Sequence, residues 1–274
     1  MHSRYSVLMS IYNKENPDYF RDSIESMLIQ SVFPDEIVIV KDGQLTLQLD
    51  AVIEEYLAKY PETFTIVPLE NNIGLGPALN EGLKRCRNEL VARMDTDDIS
   101  KPDRIKKQIA RFENDLNLVL LGSYIDEFID SPDNIISSRI VPAEHDAILK
   151  FSKRRNPFNH PTVMYKKSKV LESGGYGNFR RNQDLDLFVR MLLNGNKSAN
   201  IQESLLLFRA NADNLKRRKS WEKCSNYIDI IRKFHKMGHS SIIDLWFITM
   251  SQILVFLAPD FILKKLTYKY LRKR

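Results

Sequence analysis

Residues 71–98 read NNIGLGPALNEGLKRCRNELVARMDTDD. Asn71 and Asn72 break the pattern before them, and Gly74 and Gly76 permit tight backbone turns. From Pro77 to Cys86 the apolar residues Ala78, Leu79, Leu83 and Cys86 recur at helical spacing, which predicts a helix. Pro77 suits its first turn, where a missing N–H is no loss. Leu90-Val91-Ala92 predicts a short buried strand. Asp95, Asp97 and Asp98 follow at its carboxyl end, the side on which open α/β sheets bind ligands. Three carboxylates crowded there repel one another unless a cation lies between them. Aspartate oxygens are hard ligands for Mg²⁺ or Mn²⁺, and a diphosphate can complete the shell. An isolated D-x-D would be a solvated loop that caps the next helix. The glycine turn, helix and buried strand before this one point instead to a metal–diphosphate site.

The flanking sequence sets this unit in a sheet. Residues 5–11 predict a first strand, and residues 18–30 a helix with Phe20, Ile24, Met27 and Leu28 on one face. Residues 36–40 predict a second strand closed by Lys41-Asp42-Gly43. Asp42 is then either a turn residue before glycine or a strand-end carboxylate that accepts hydrogen bonds from a ribose or base. Residues 47–60 predict a helix and 63–67 a third strand. Such alternation implies right-handed crossovers and a largely parallel sheet. Gly74-Leu75-Gly76 lacks a third glycine in place, so a dinucleotide fingerprint is absent.

These runs, SVLMSIYNKEN, VIVKDG, NNIGLGPALNEGL and ARMDTDD, resemble the nucleotide-sugar half of family 2 glycosyltransferases. The resemblance continues through NPFNHPTVMYKKSKVLESGGY and QDLDLFVRML, across roughly residues 4–210. It is the order of the motifs that is specific. It implies an inverting enzyme with a GT-A fold, a nucleotide-sugar donor, a divalent metal (Mn²⁺ or Mg²⁺) and a hydroxyl acceptor. By motif match Asp42 contacts the nucleoside, and Asp95 and Asp97 hold metal and diphosphate. Asn72, Gly74 and Arg93 complete the donor-binding set. The family often shows Asp-Asp-Gly after the second strand, and here Lys41 replaces the first aspartate.

Further along, Ser100 reads as a helix cap and Pro102 as a first-turn residue before the buried stripe Ile105, Ile109 and Phe112. Residues 119–122 predict a strand, 125–129 and 135–140 a strand pair, and 143–151 a helix. Arg155 to Pro161 is a loop by its prolines and asparagines, and its His160 is either structural or site-lining. In the resembling family this loop faces donor and acceptor. From Asp186 the apolar residues predict a buried helix, with Asp184 at its start. Asp184 there complements the helix dipole, or it serves as the general base that inverting transfer requires. The family's Glu-Asp pair corresponds to Gln183-Asp184, so Asp184 is the first choice of base and Asp186 the alternative.

The chain has 274 residues, enough for one large α/β domain or a domain with an appendage, and a net charge of +6. The two cysteines, Cys86 and Cys224, give neither a metal spacing nor a disulfide framework. The apolar stretch at the N-terminus is too short for a signal peptide, so a cytoplasmic protein is expected. A domain boundary is expected at 215/216. Beyond it come the basic run 216–219, an amphipathic helix at 221–236, the apolar run 245–258 and an aromatic-basic helix at 261–270. The apolar run is shorter than the roughly 20 residues of a membrane span. With its basic flanks it reads either as packing against the domain or as a segment half sunk in the cytoplasmic leaflet. Nucleotidyl transfer would need a phosphate-gripping glycine loop that MSIYNKEN does not supply. Nucleic-acid binding would need basic residues interleaved with aromatics on one face, whereas here they cluster late beside an apolar segment. The expected activity is transfer of a hexose, with UDP-galactose or UDP-glucose as donor, to a lipid-linked saccharide of a bacterial surface polysaccharide at the inner face of the cell membrane.

Overall fold

The computed structural model describes residues 3–210 and 220–258. Strands β1 (Tyr5–Ile11), β2 (Glu36–Lys41), β3 (Phe64–Pro68) and β4 (Leu90–Arg93) pair in parallel in the order β3-β2-β1-β4. Helices α1 (Pro17–Leu28), α2 (Leu47–Lys59) and α3 (Leu75–Arg85) make the crossovers. Both faces of this half are covered, so β1 and β2 are apolar on both sides. Val7, Met9, Ile37 and Ile39 pack with Phe20, Ile24 and Val52 of α1 and α2. Leu8, Val38 and Val40 pack with Ala78, Leu79 and Leu83 of α3.

The other half departs from the parallel pattern. Strand β8 (Met164–Lys166) lies between β4 and β6 (Leu118–Phe128), antiparallel to both. Strand β9 (Lys197–Arg209) runs parallel to β6, while β5 (Ile99–Ser100) and β7 (Ile135–Arg139) pair antiparallel with β9 and β6. The spans 119–122 and 125–129 are one strand whose register with β9 shifts at Ser123/Tyr124. Ser100 is not a helix cap. It sits in β5, where its N–H donates to Ser26 Oγ at 3.0 Å. Helix α4 (Arg104–Asn114) is capped instead by Gln30, whose Oε1 accepts from Ile105 N at 3.1 Å. His160 lies in a single 3-10 turn, His160–Thr162.

After α5 (His145–Ser152) and α6 (Lys167–Glu172), helix α7 (Gln183–Leu193) covers the α3 face of the sheet through Leu187, Phe188 and Met191. Its other face, Leu185 and Val189, packs on Ile230, Ile231 and Phe234 of α8 (Trp221–Lys236) and Ile248 of α9 (Ile242–Leu257). The expected boundary at 215/216, the basic run 216–219 and the helix expected at 261–270 lie outside the described residues.

The N-terminus of α3 meets that of α7 at Gly76. A Cβ there would lie 2.7 Å from the Gly177 carbonyl oxygen and 3.3 Å from Gln183 Cβ. Gly76→Ala is therefore expected to destabilise the protein by about 1–3 kcal/mol through overpacking. Denaturant unfolding measures this, and a midpoint equal to the parent's would mean the junction yields freely.

Candidate active site

Two elements of the site stand at the carboxyl ends of β2 and β4. Asp42 follows β2 and is buried. Its Oδ1 accepts from Ile73 N at 2.7 Å and its Oδ2 from Gly74 N at 3.1 Å. Asn72 Nδ2 donates back to the Asp42 carbonyl at 3.2 Å. The glycine turn before α3 is thus tied to the end of β2 by a carboxylate, and each of its oxygens keeps a second lone pair for a ligand. Gly74 is the N-cap of α3 with φ +90°, and nothing lies within 4 Å of where its Cβ would stand. The first turn of α3 is open at this point.

Arg93 ends β4 and is 1% exposed. It pairs with the Asp95 carboxylate, while its Nε and Nη1 have no hydrogen-bond partner among the described residues. Burial alone would disfavour the guanidinium charge, but Asp95 beside it holds the proton on. One carboxylate oxygen from each of Asp95, Asp97 and Asp98 lies within 4.8 Å of the others. Burial and then the Asp95 charge push the Asp97 carboxyl up to about 6. Burial, Asp97 and Asp95 push Asp98 well above the usual carboxylate range. Asp98 Oδ1 accepts from Arg209 N at 3.0 Å, and its buried Oδ2 has no partner among the described residues. Crowded, partly orphaned carboxylate oxygens of this kind fit a hard divalent cation.

Arg209 at the end of β9 holds this loop. Its Nε donates to the Asp97 carbonyl at 2.9 Å, and its guanidinium lies 3.9 Å from the Tyr19 ring centre. Ser23 Oγ on α1 donates to the Asp95 carbonyl at 2.6 Å. Neither residue stands out in the sequence. Arg209 is one cation at the end of the apolar run LLLF, and that polar ending was its only signal.

His160 and Tyr176 lie within reach of the Arg93 charge, and Tyr176 also within reach of Asp95 and Asp184. His160 Nε2 is 3.1 Å from the Tyr176 hydroxyl, and burial followed by the Arg93 charge drives its pKa well below the ordinary value. Both effects favour the neutral imidazole. Tyr176 is held by Asn80 of α3 through paired bonds of 2.8 Å to its N–H and carbonyl. Its raised phenol pKa reflects burial first, and the phenol also feels Arg93, Asp184 and Asp95. Tyr176 is therefore within reach of carboxylates of both the aspartate triplet and α7, a position hidden in the sequence, where it reads only as part of a Gly-Gly turn.

Asp184 lies in the first turn of α7. Its Oδ2 accepts from Asn156 Nδ2 at 2.6 Å, and burial raises its pKa despite the α7 N–H groups and Arg139. Asp186 is differently placed. It is 1% exposed and held by Arg190 at 2.8 Å and by Lys233 of α8. Arg190 also donates to the Gly175 carbonyl at 2.6 Å, so Asp186 anchors the turn that carries Tyr176.

The family model for glycosyl transferase family 2 matches residues 6–179. The amylovoran biosynthesis glycosyltransferase AmsE of Erwinia amylovora is 38% identical over 83% of this chain and 84% of its own length. An Escherichia coli UDP-Gal:alpha-D-GlcNAc-diphosphoundecaprenol beta-1,3-galactosyltransferase is 34% identical over 98% of both chains. Among solved structures, the mannosyltransferase PcManGT of Pyrobaculum calidifontis, in complex with GDP-Man and Mn²⁺, superposes with a TM-score of 0.64. It is 14% identical, with 94% of this chain and 71% of that one covered.

Proposed function

This chain belongs to glycosyl transferase family 2, a nucleotide-sugar-dependent glycosyltransferase of GT-A fold, and from that premise we propose that it moves a hexose from UDP-galactose or UDP-glucose to a lipid-linked saccharide. Its relatives work in bacterial exopolysaccharide and O-antigen biosynthesis. The observation that carries the reading is the half-buried Asp184, whose charge reaches the same Tyr176 phenol as that of Asp95 in the aspartate triplet. In this reading Asp42, Asn72 and Gly74 seat the nucleoside, and Asp95 and Asp97 would hold a divalent cation with the diphosphate. That cation supplies Lewis-acid neutralisation of the leaving diphosphate. Asp184 takes the proton of the acceptor hydroxyl as its oxygen attacks the anomeric carbon. The bond from that carbon to the diphosphate oxygen breaks on the opposite face, so the configuration inverts. His160, neutral and joined to the Tyr176 hydroxyl, lines the sugar pocket between them. Nucleotide release from a panel of UDP- and GDP-sugars tests the reading. Release is expected with a UDP-hexose, and a panel that yields none would overturn it.

We also propose that α9 rests on the membrane surface. Among the described residues no helix is long and apolar enough to cross a membrane. One face of α9 packs through Ile248, but Ile243, Trp246 and Leu254 are 67%, 64% and 64% exposed. Apolar and aromatic residues aligned on one exposed helix face suit a headgroup boundary. Because α8 and α9 cover Leu185 and Val189 of α7, deleting them would strip the active-site helix. Point changes are the cleaner test. The protein is expected to float with anionic vesicles, and Ile243→Glu with Trp246→Glu should abolish flotation without loss of nucleotide binding. A parent protein that floats with neither anionic nor neutral vesicles would make α9 a packing element only.

A further inference from the structure

The loop between α5 and the 3-10 turn carries three consecutive cations, Lys153, Arg154 and Arg155, then Asn156. It is pinned from several sides. Tyr227 Oη of α8 donates to the Arg154 carbonyl at 2.8 Å, and Ser240 Oγ donates to the Lys153 carbonyl at 2.8 Å. Arg139 Nη2, at the end of β7, donates to the Asn156 carbonyl at 2.8 Å. Asn156 in turn donates to Asp184. One residue therefore separates Arg139 from the carboxylate assigned as base. Arg155 precedes Asn156 in the chain, and its guanidinium lies 5.0 Å from the Phe151 ring centre. The Tyr227 phenol, pushed by burial up to about 12, feels Arg155, Arg139 and Asp184 together.

Cations beside a general base lower its proton affinity. Arg139 does so to Asp184, and its hydrogen bond to the Asn156 carbonyl keeps that charge on the base's side of the loop. The far side of the loop supplies a second clue. Arg154 pairs with Asp244 at the start of α9 and lies 4.8 Å from the Phe247 ring centre, where the exposed apolar face of α9 begins. A single loop thus carries Arg155 next to the asparagine that joins Arg139 to the base, and Arg154 at an apolar surface.

We propose that Arg139 and Arg155 form a phosphate subsite for the acceptor. They would hold a diphosphate on an apolar chain while the sugar attached to it offers its hydroxyl to Asp184. Guanidinium groups suit this task because their planar fork binds phosphate oxygens bidentately. The subsite deepens the proposed transfer, since it rests on Asp184 being the base. It adds a constraint: the accepting sugar is the one joined directly to the diphosphate, because Arg139 lies only one residue from Asp184.

The test is equilibrium binding of undecyl diphosphate, undecanol and inorganic pyrophosphate to the intact protein, with UDP and Mn²⁺ saturating so that the donor site is filled. The parent is expected to bind undecyl diphosphate about 10- to 100-fold more tightly than undecanol, the worth of charge-assisted hydrogen bonds. Arg155→Gln and the double change Arg139→Gln with Arg155→Gln should remove that preference stepwise. Arg155→Lys should restore part of it. Arg232→Gln, which removes a charge from an exposed position on α8, should leave it intact. Pyrophosphate alone should bind weakly but with the same sensitivity to the arginines. The proposal is overturned if the parent shows no preference, if the double variant keeps it while folded, or if phosphatidylglycerol vesicles compete as well as undecyl diphosphate. Failure of UDP to bind would instead count against the proposed transfer, and the preference for undecyl diphosphate would still be read from parent and variants without it.

Discussion

Asp184→Asn is expected to lower kcat by about 10²–10⁴-fold, the usual worth of general-base catalysis. The substitution conserves shape, and its amide oxygen can still accept from Asn156 Nδ2, so the start of α7 keeps its hydrogen bond. What disappears is a group able to take the acceptor's proton. Donor KM should change little, because the proposed nucleoside contacts lie at β2 and α3. The parent should show an acid limb, with activity falling as pH drops through a value above the ordinary carboxylate range, because burial raises the Asp184 pKa and only the ionised form is a base. With Mn²⁺ held saturating at every pH, that limb should be missing from the residual activity of Asp184→Asn. Asp186→Asn makes the contrast. Its carboxylate joins Arg190 to Lys233, and removing one partner of a buried ion pair typically costs about 3–5 kcal/mol. It should lower stability first and activity through the Tyr176 turn. A folded, inactive Asp186→Asn beside an active Asp184→Asn would transfer the base to Asp186.

The contrast between these two aspartates shows where the sequence was legible. Strands β1, β2 and β4 and helix α3 could be read because their apolar residues repeat at one period over a full element, and burial on both faces leaves little to interpret. Asp95 and Asp97 could be singled out because a short buried strand delivered them to its carboxyl end. The β6–β9 half was harder. Gln202 and Glu203 interrupt the apolar pattern of β9 where it meets solvent, and β8 contributes only three residues. The roles of Asp184 and Asp186 depend on Asn156, Arg190 and Lys233, which come from other parts of the chain and leave no mark on local spacing. The same holds for Arg209 and Tyr176. Asp42 is intermediate: its position at a strand end was visible, but its grip on the N–H groups of Ile73 and Gly74 depends on how the turn before α3 folds back.

Asp97→Ala is expected to reduce transfer by roughly 10³-fold or more, since Lewis-acid stabilisation is worth several kcal/mol and each 1.36 kcal/mol is tenfold. The fold should survive. In the metal-free protein the Asp97 carboxyl sits at about 6 because burial and Asp95 oppose its charge. A carboxylate whose folded pKa is raised supports the folded state only while protonated. That support is full below the ordinary aspartate pKa and is lost as pH rises through about 6. At neutral pH, therefore, Asp97→Ala should unfold at the parent's temperature or slightly above it when chelator is present. Added Mn²⁺ should reverse the order. The parent should gain thermal stability by mass action on the folded state, and the variant should gain little. Since a proton and a cation compete for the same oxygens, the Mn²⁺-induced rise in the parent should shrink as pH falls from 7.5 to 5. Thermal unfolding at both pH values, with Mn²⁺ or chelator, measures all of this beside the transfer assay. Full activity in excess chelator, or an Mn²⁺ response that Asp97→Ala leaves unchanged, would remove Asp97 from the metal site.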